Sequence, residues 1–319
     1  MNMKIMIGVF SYNEGYNLSN IVKQLFSQTT DLHATIVLMD ESDDPNSLKI
    51  VQGLISEYHL RHYGDWHSRM GKVPTMNILF QRFLESNCEI LLHFDADQIL
   101  HDDCVTSMLS GLESGFDVVA ALSLCLPGRN LFERGIRITL RPGEMLRQQP
   151  YYPYPLLGHN GGYSRRAVSE IYPLPETGAD EELYILHTAM CKGIKCAVIP
   201  SAKVSFRTAS NITEYVSSGR RVIGSVKSFI DGRFDIKSDI NPRLNCDNSE
   251  YSREKLHLNI YRRPPFSFIL RAMMEDPLAS LALPFILIIR EALLLSSKPY
   301  ASNLWEIVNG SKDLRQLPK

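Results

Sequence analysis

No pair of cysteines in this chain stands at Cys-x-x-Cys spacing, although there are six, at positions 88, 104, 125, 191, 196 and 246. Cys191 and Cys196 are not matched by a second Cys/His ligand pair at zinc-site spacing, which argues against a structural zinc module. Most of the six lie within apolar runs, and this predicts buried thiols in a reducing compartment. Net charge is nearly absent as well: 34 Lys/Arg against 35 Asp/Glu leave −1, so nothing global points to nucleic acid as a partner. Internal repeats and low-complexity tracts are missing. Residues 1–14 carry one lysine and a short apolar run that passes straight into polar residues, the pattern of a first β-strand rather than a leader. The expectation is a cytoplasmic protein. Long unbroken apolar runs are lacking too. The most apolar segment, 277–297, is interrupted by Pro284 and by Arg290-Glu291 and falls short of the roughly 20 residues that span a bilayer.

What the chain does have is alternation between two periods. Apolar runs at 5–10, 34–39, 90–94 and 118–124 are short and nearly continuous, as strands buried on both faces of a parallel sheet are. Between them, Leu18, Ile21, Val22, Leu25 and Phe26 repeat at helical spacing. So do Val51, Leu54, Ile55 and Tyr58, and then Met76, Leu79, Phe80 and Phe83. The expected class is α/β, with a mostly parallel central sheet flanked by helices. Residues 126–157, with five arginines and the Pro/Tyr-rich PYYPYPLLG, read as an irregular connection, and 180–192 as a helix. Residues 231–250 read as a linker between a main domain at 1–230 and a helical C-terminal tail at 251–319. The main domain divides into a nucleotide-binding half, 1–125, and an acceptor half, 126–230. The tail holds ten Lys/Arg against six Asp/Glu, and such a basic, apolar-faced tail fits peripheral contact with an anionic membrane or packing on a second subunit.

Ligands of open α/β sheets bind beyond the carboxyl ends of the strands. Three apolar runs end in polar clusters there: Ser11-Tyr12-Asn13-Glu14, Asp40-Glu41-Ser42-Asp43-Asp44 and Asp95-Ala96-Asp97. Carboxylates converging on one edge are costly unless cations or donors meet them. Residues one apart on an extended strand point to opposite sides, so one aspartate of the last cluster can reach a ribose and the other a divalent metal on two phosphates. Mg²⁺ and Mn²⁺ favour such hard oxygen ligands. His59, His62 and His67 fit no metal motif and read as loop histidines. Tyr151, Tyr152 and Tyr154 could stack on a sugar or lipid, or anchor their loop.

With these clusters in order, the sequence resembles the family 2 glycosyltransferases, which have the GT-A fold. The matching segments are FSYNEGYNLSNIVKQL, VLMDESDD, Gly71-Lys72 with Asn77, HFDADQIL, GHNGGYSRRAV and ETGADEELYILHTAMCKGIKCAVIP, together covering about residues 4–230. The resemblance implies that Ser11, Tyr12 and Glu14 line the nucleotide site and that Asp40 meets a uracil-type base. It further implies a phosphate partner in Lys72, and a DXD motif at Asp95, Ala96 and Asp97 with Asp97 as the main ligand to Mn²⁺ or Mg²⁺ and Asp95 on ribose or shared. Asp180 matches the catalytic base, which takes the acceptor hydroxyl's proton in one direct, inverting displacement. The implied donor is a nucleotide-diphosphate sugar, UDP-sugar favoured, and the acceptor a glycan or lipid-linked glycan. One departure stands out: Ala179 replaces the glutamate that usually precedes the base, and Glu181 and Glu182 follow Asp180 directly, so spacing alone does not choose among the three acids. A nucleotidyltransferase is disfavoured, because the first loop has no Arg or Lys to grip a triphosphate. A non-catalytic nucleotide-sugar-binding subunit is the other alternative, and Ala179 is what favours it. The processive synthases' Q-x-x-R-W segment is not found around Arg220-Arg221.

Overall fold

A computed structural model describes residues 3–63, 70–150, 152–153, 159–175, 181–230 and 265–296. The expected linker, Ala179, Asp180, His67, Tyr151 and Tyr154 lie outside these residues. Chain order begins β1 (Lys4–Ser11), α1 (Tyr16–Thr29), β2 (His33–Asp40), α2 (Pro45–Tyr58) and β3 (Arg61–His62). It continues through α3 (Lys72–Glu85), β4 (Ile90–Asp95), β5 (Ile99–Leu100), α4 (Cys104–Glu113) and β6 (Val118–Cys125). Then come α5 (Leu131–Arg147), β7 (Asn160–Ser164), α6 (Arg165–Ile171), α7 (Glu181–Cys191), β8 (Cys196–Phe206) and α8 (Ile212–Ile230). Two further helices close the described chain, α9 (Phe266–Glu275) and α10 (Leu283–Ser296), with a 3₁₀ turn at Ala279–Ala282 between them.

The eight strands form one sheet in the order β3-β2-β1-β4-β7-β6-β8-β5. β3, β2, β1 and β4 are mutually parallel, β7 runs against both β4 and β6, and β8 lies parallel to β6. Both faces are covered, which is why the strands read as continuous apolar runs. Ile5, Ile7 and Val9 pack against α1, α2 and α4, while Met6 and Phe10 join α3, α6 and α7 on the other face. Parallel register then sets the strand ends level: Ser11 pairs with Asp40, and Phe10 with Asp95.

The irregular connection expected at 126–157 is corrected by α5, a 17-residue helix. Its signal was masked because Gly135, Pro142 and Gly143 are poor helix formers and two carboxylates face inward. Glu133 and Glu144 are buried, paired with Arg129 (3.0 Å) and Arg141 (3.0 Å). Asn130 caps the helix by accepting the Glu133 N–H at 2.9 Å, a stabilisation of about 1 kcal/mol. Asn160–Ser164 of the GHNGGYSRRAV segment forms β7, and Arg165–Ile171 follows it directly as α6.

The C-terminal helices dock on α5. Arg134 grips Asp276 with two hydrogen bonds of 2.8 and 2.6 Å, and Arg141 reaches Glu275 at 2.9 Å. Gly135 permits the approach: a Cβ there would stand 2.6 Å from Ile286 Cδ1. On α10 only Ile286 and Leu293 are buried, whereas Phe285, Ile288 and Leu295 are exposed. Folded together, Ala279–Ser296 is long and apolar enough to cross a membrane by length and composition, with mean hydropathy 1.8. The interrupting Arg290 and Glu291 do not prevent that, which revises the length read from the sequence.

Cys88, Cys104, Cys125 and Cys196 are free thiols, and burial pushes Cys104, Cys125 and Cys196 up to about 12, so they stay protonated and inert. Cys191 is disulfide-bonded. This corrects the all-thiol expectation, since spacing along the chain does not reveal pairing between distant cysteines.

Candidate active site

The carboxyl ends of β1, β2 and β4 open into a cavity of about 510 Å³, whose far side is formed by the end of β8, by α5, α8 and α10. Two loops at its mouth are locked together. Asn13, at φ 55, takes the left-handed conformation that Asn tolerates, and its side-chain oxygen accepts the N–H groups of Asp43 and Asp44 at 3.0 Å each. Its amide donates to Asp43 at 2.7 Å, and the Tyr12 hydroxyl donates to the same carboxylate at 3.0 Å. The loop after β1 is thereby fixed to the loop after β2. Asn13 was visible in the sequence only as one of four polar residues after a strand.

Of the residues singled out from sequence, Ser11, Tyr12, Glu14, Lys72, Asp95, Ala96 and Asp97 line the cavity. Asp40 does not. It is wholly buried, and its carboxylate accepts from the Ser42 hydroxyl at 2.8 Å and the Ser42 N–H at 3.2 Å. The neighbouring Glu41 reaches the wall instead. Its carboxylate accepts the Gly71 N–H at 3.1 Å and the Thr75 hydroxyl, at the positively polarised start of α3. Gly71 has φ 93, a conformation open to glycine and strained for other residues. That turn aims Lys72 inward. Asn77 holds the backbone of Leu174 through both amide atoms, at 2.8 and 2.9 Å, and so fixes the chain ahead of α7. His59 ends α2, and His62 contacts the Asp40 carbonyl at 3.0 Å; neither is at the cavity wall.

Lys72 is the hub of the site. Its Nζ donates to both oxygens of Asp95 at 3.0 and 2.9 Å and lies 4.0 Å from Glu181 and 5.9 Å from the Phe10 ring centroid. Side-chain exposures are 8% for Lys72, 16% for Asp95 and 8% for Glu181. Burial pulls the lysine's pKa down, but the charges of Asp95, Glu181 and Asp97 together with the Asp95 hydrogen bonds outweigh it, and the net shift is upward. Asp95 mirrors this: burial raises it, Lys72 and then His159 lower it, and the net shift is downward. Both groups therefore stay charged.

The sequence reading had the two aspartates pointing apart on an extended strand. The strand instead ends at Asp95 and the chain turns at Ala96-Asp97, which makes the carboxylates converge. Asp95, Asp97 and His159 offer ligand atoms that all lie within 4.8 Å of one another. His159 arrives from the strand opposite: its carbonyl accepts the Asp95 N–H at 2.9 Å and its ring stacks on Phe206 at 5.5 Å. Its Nδ1 stands 3.4 Å from Asp95 Oδ2, within ion-pair distance though outside hydrogen-bond alignment. The sequence reading missed His159, and its place immediately before the Asn-Gly-Gly of β7 was the available signal. Asp95, Asp97 and Glu181 gather three carboxylates around Lys72. Two carboxylates and an imidazole converging at this acidic side of the cavity fit a divalent cation such as Mn²⁺.

Glycosyl transferase family 2 is the family whose pattern matches the chain, over residues 6–172, just over half its length. No curated protein matches it in sequence. Among solved structures, the mannosyltransferase PcManGT from Pyrobaculum calidifontis, in complex with GDP-Man and Mn²⁺, is similar with a TM-score of 0.56 at 16% identity, over 93% of this chain and 88% of that one. S. aureus TarS 1–349, in complex with UDP-GlcNAc, is similar with a TM-score of 0.53 at 13% identity, over 92% and 89%. GalNAc-T7 with UDP, GalNAc and Mn²⁺ gives 0.53 at 15%, over 86% of this chain and 58% of that protein. These likenesses show the fold; the family match covers the strand-end site itself. The chain belongs to glycosyl transferase family 2 and is a glycosyltransferase of the GT-A fold.

Proposed function

We propose that the chain moves a sugar from a nucleotide-diphosphate donor to an acceptor hydroxyl with inversion at the anomeric carbon. The observation that carries this reading is the convergence of Asp95, Asp97 and His159 beside the Lys72 hub. In this reading Asp97 and His159 hold the metal, with Asp95 kept ionised and aimed by Lys72 as a shared ligand. When bound, the metal offsets the charge of the departing diphosphate. Ser11, Tyr12 and Glu14 shape the nucleoside end of the cavity. In this reading Glu41, which lines the cavity where Asp40 does not, is the carboxylate that accepts the ring N–H of the base, an interaction open to both uracil and guanine. Asp180 removes the acceptor proton; Glu181, next in the chain, is committed to Lys72.

UDP-sugars are the donors the resemblance favours, and PcManGT with GDP-Man and TarS with UDP-GlcNAc make both nucleotides the ones to screen. Incubation with UDP- and GDP-sugars plus Mn²⁺ is expected to release one free nucleotide slowly by hydrolysis, and Mg²⁺ in its place is expected to support a lower rate. Proton NMR of the transferred product is expected to show the anomeric configuration opposite to the donor's. Retention of configuration would overturn the single-displacement mechanism. The cellular placement that fits is the cytoplasmic side of a membrane, with α9 and α10 as the contacting surface.

A further inference from the structure

Tyr163 brings a polar atom into the core that the reaction described above does not use. It stands on β7, wholly buried, in the apolar cluster that α3, α6 and α7 form on one face of the sheet. Its ring stacks on His93 of β4, with centroids 5.7 Å apart and planes 17° from parallel, and meets Phe80 of α3 edge-on at 5.4 Å. The phenol leans back along β7 toward the ligand edge, where Asn160 pairs with Phe94 of β4. A Cβ on Gly161, two residues nearer that edge, would stand 2.7 Å from the Tyr163 hydroxyl. Glycine at 161 thus leaves the hydroxyl its seat. Among the described residues, however, that hydroxyl makes no hydrogen bond. A phenylalanine would fill the same space without the cost of burying an idle O–H, so packing alone does not account for the oxygen.

A matching deficit lies at the start of α7. The buried Glu181 carboxylate accepts no hydrogen bond among the described residues and stands 4.0 Å from Lys72 Nζ, the outer limit of an ion pair. Leu183 and Tyr184, in the same first turn, belong to the cluster that holds Tyr163. Burial and then the charges of Glu181 and Glu182 push the phenol's pKa well above the ordinary tyrosine value, so the hydroxyl keeps its proton and remains a donor. A donor diphosphate that competes for Lys72 leaves Glu181 to its next partner. Glu181 directly follows Asp180 in the chain, so a contact that fixes its carboxylate fixes the turn beside the base.

We propose that Tyr163 is a positioning residue: with donor bound, its hydroxyl donates to the Glu181 carboxylate and fixes the first turn of α7, and hence Asp180, for proton transfer. This role rests on the glycosyl-transfer reading and deepens it.

The test combines hydrogen–deuterium exchange with steady-state kinetics on the full chain. UDP or GDP with Mn²⁺ is expected to slow amide exchange in the first two turns of α7 at least about fivefold in wild type. Tyr163→Phe is expected to lose that protection while binding the same nucleotide within about twofold. Its urea midpoint should be no lower than that of wild type, because the hydroxyl is idle at rest. Its kcat for transfer should fall at least about tenfold with donor KM unchanged. Glu181→Gln keeps an oxygen for the phenol and is expected to retain the protection. Glu181→Ala removes that oxygen, and adding Tyr163→Phe to it should cost no further rate. Protection retained in Tyr163→Phe, or a loss of stability that matches its loss of rate, would overturn the proposal and leave the phenol a packing residue. An unprotected α7 in a wild type that still transfers sugar would overturn the contact alone. Protection that depends on Tyr163 without any sugar transfer would support the contact and count against glycosyl transfer, so the two readings fail separately.

Discussion

Asp180→Asn is expected to lower transfer to acceptor by about 10²- to 10⁴-fold, the usual contribution of a positioned general base. Asparagine keeps the size and hydrogen-bonding capacity of the side chain but accepts no proton. The affinity for nucleotide in Mn²⁺ should stay within about twofold, because the donor is held at the strand ends. Glu181→Gln provides the contrast. Glu181 lies 4.0 Å from Lys72, so its neutralisation acts on the hub, and its effect is expected in stability and donor binding rather than in the transfer step. Full transfer by Asp180→Asn would move the base to another residue.

Lys72→Met should cost about 3 kcal/mol of folding free energy in urea denaturation, the size seen when one partner of a buried pair is removed. The cause is the carboxylate left behind: Asp95, at 16% exposure, would sit in a low-dielectric pocket with Glu181 and Asp97 near and no lysine. Lys72→Met with Asp95→Asn should recover more than half of the loss, since that charge is then gone. The pH dependence has a definite sign. Asp95 is shifted down in the folded protein, so its contribution is present above its ordinary value of 3.8 and is lost as pH falls. Lys72 is shifted up, so its contribution is present below its ordinary value of 10.5 and is lost only as pH rises through the folded value. The difference between wild type and Lys72→Met should therefore be largest between neutrality and about pH 9 and shrink as pH falls into the acidic range, because in the variant burial and the neighbouring carboxylates raise Asp95 until it takes up a proton. A penalty under about 0.5 kcal/mol would mean that the pair is an ordinary surface contact.

The strand-end half of the site was legible because parallel strands buried on both faces leave short, unbroken apolar runs, and the next residues necessarily lie at the ligand edge. Ser11, Tyr12, Glu14, Asp95 and Asp97 all follow that rule onto the cavity wall. Asp40 obeys it too and still turns inward, because Ser42 offers its carboxylate a local hydrogen-bonding partner; which of two adjacent acids faces the ligand is set by such loop contacts. The opposite wall was hidden for different reasons. α5 has two glycines, a proline and inward carboxylates, each contrary to a helical reading; the carboxylates are held by Arg129 and Arg141, four and three residues away. His159 lies before β7, whose antiparallel insertion beside β4 is a tertiary fact. Arg290 reaches the cavity only because α10 packs back on α5 and α8, and no local pattern encodes that return.

The most direct test of the central claim, a metal-dependent donor site built on Asp97 beside the Lys72–Asp95 pair, is calorimetric binding of UDP and GDP with and without Mn²⁺. Wild type is expected to bind one of them at least about tenfold more tightly with Mn²⁺, and Asp97→Ala to lose that gain while keeping the weak metal-free affinity. A wild type indifferent to Mn²⁺, or an Asp97→Ala variant that retains the full gain, would contradict it.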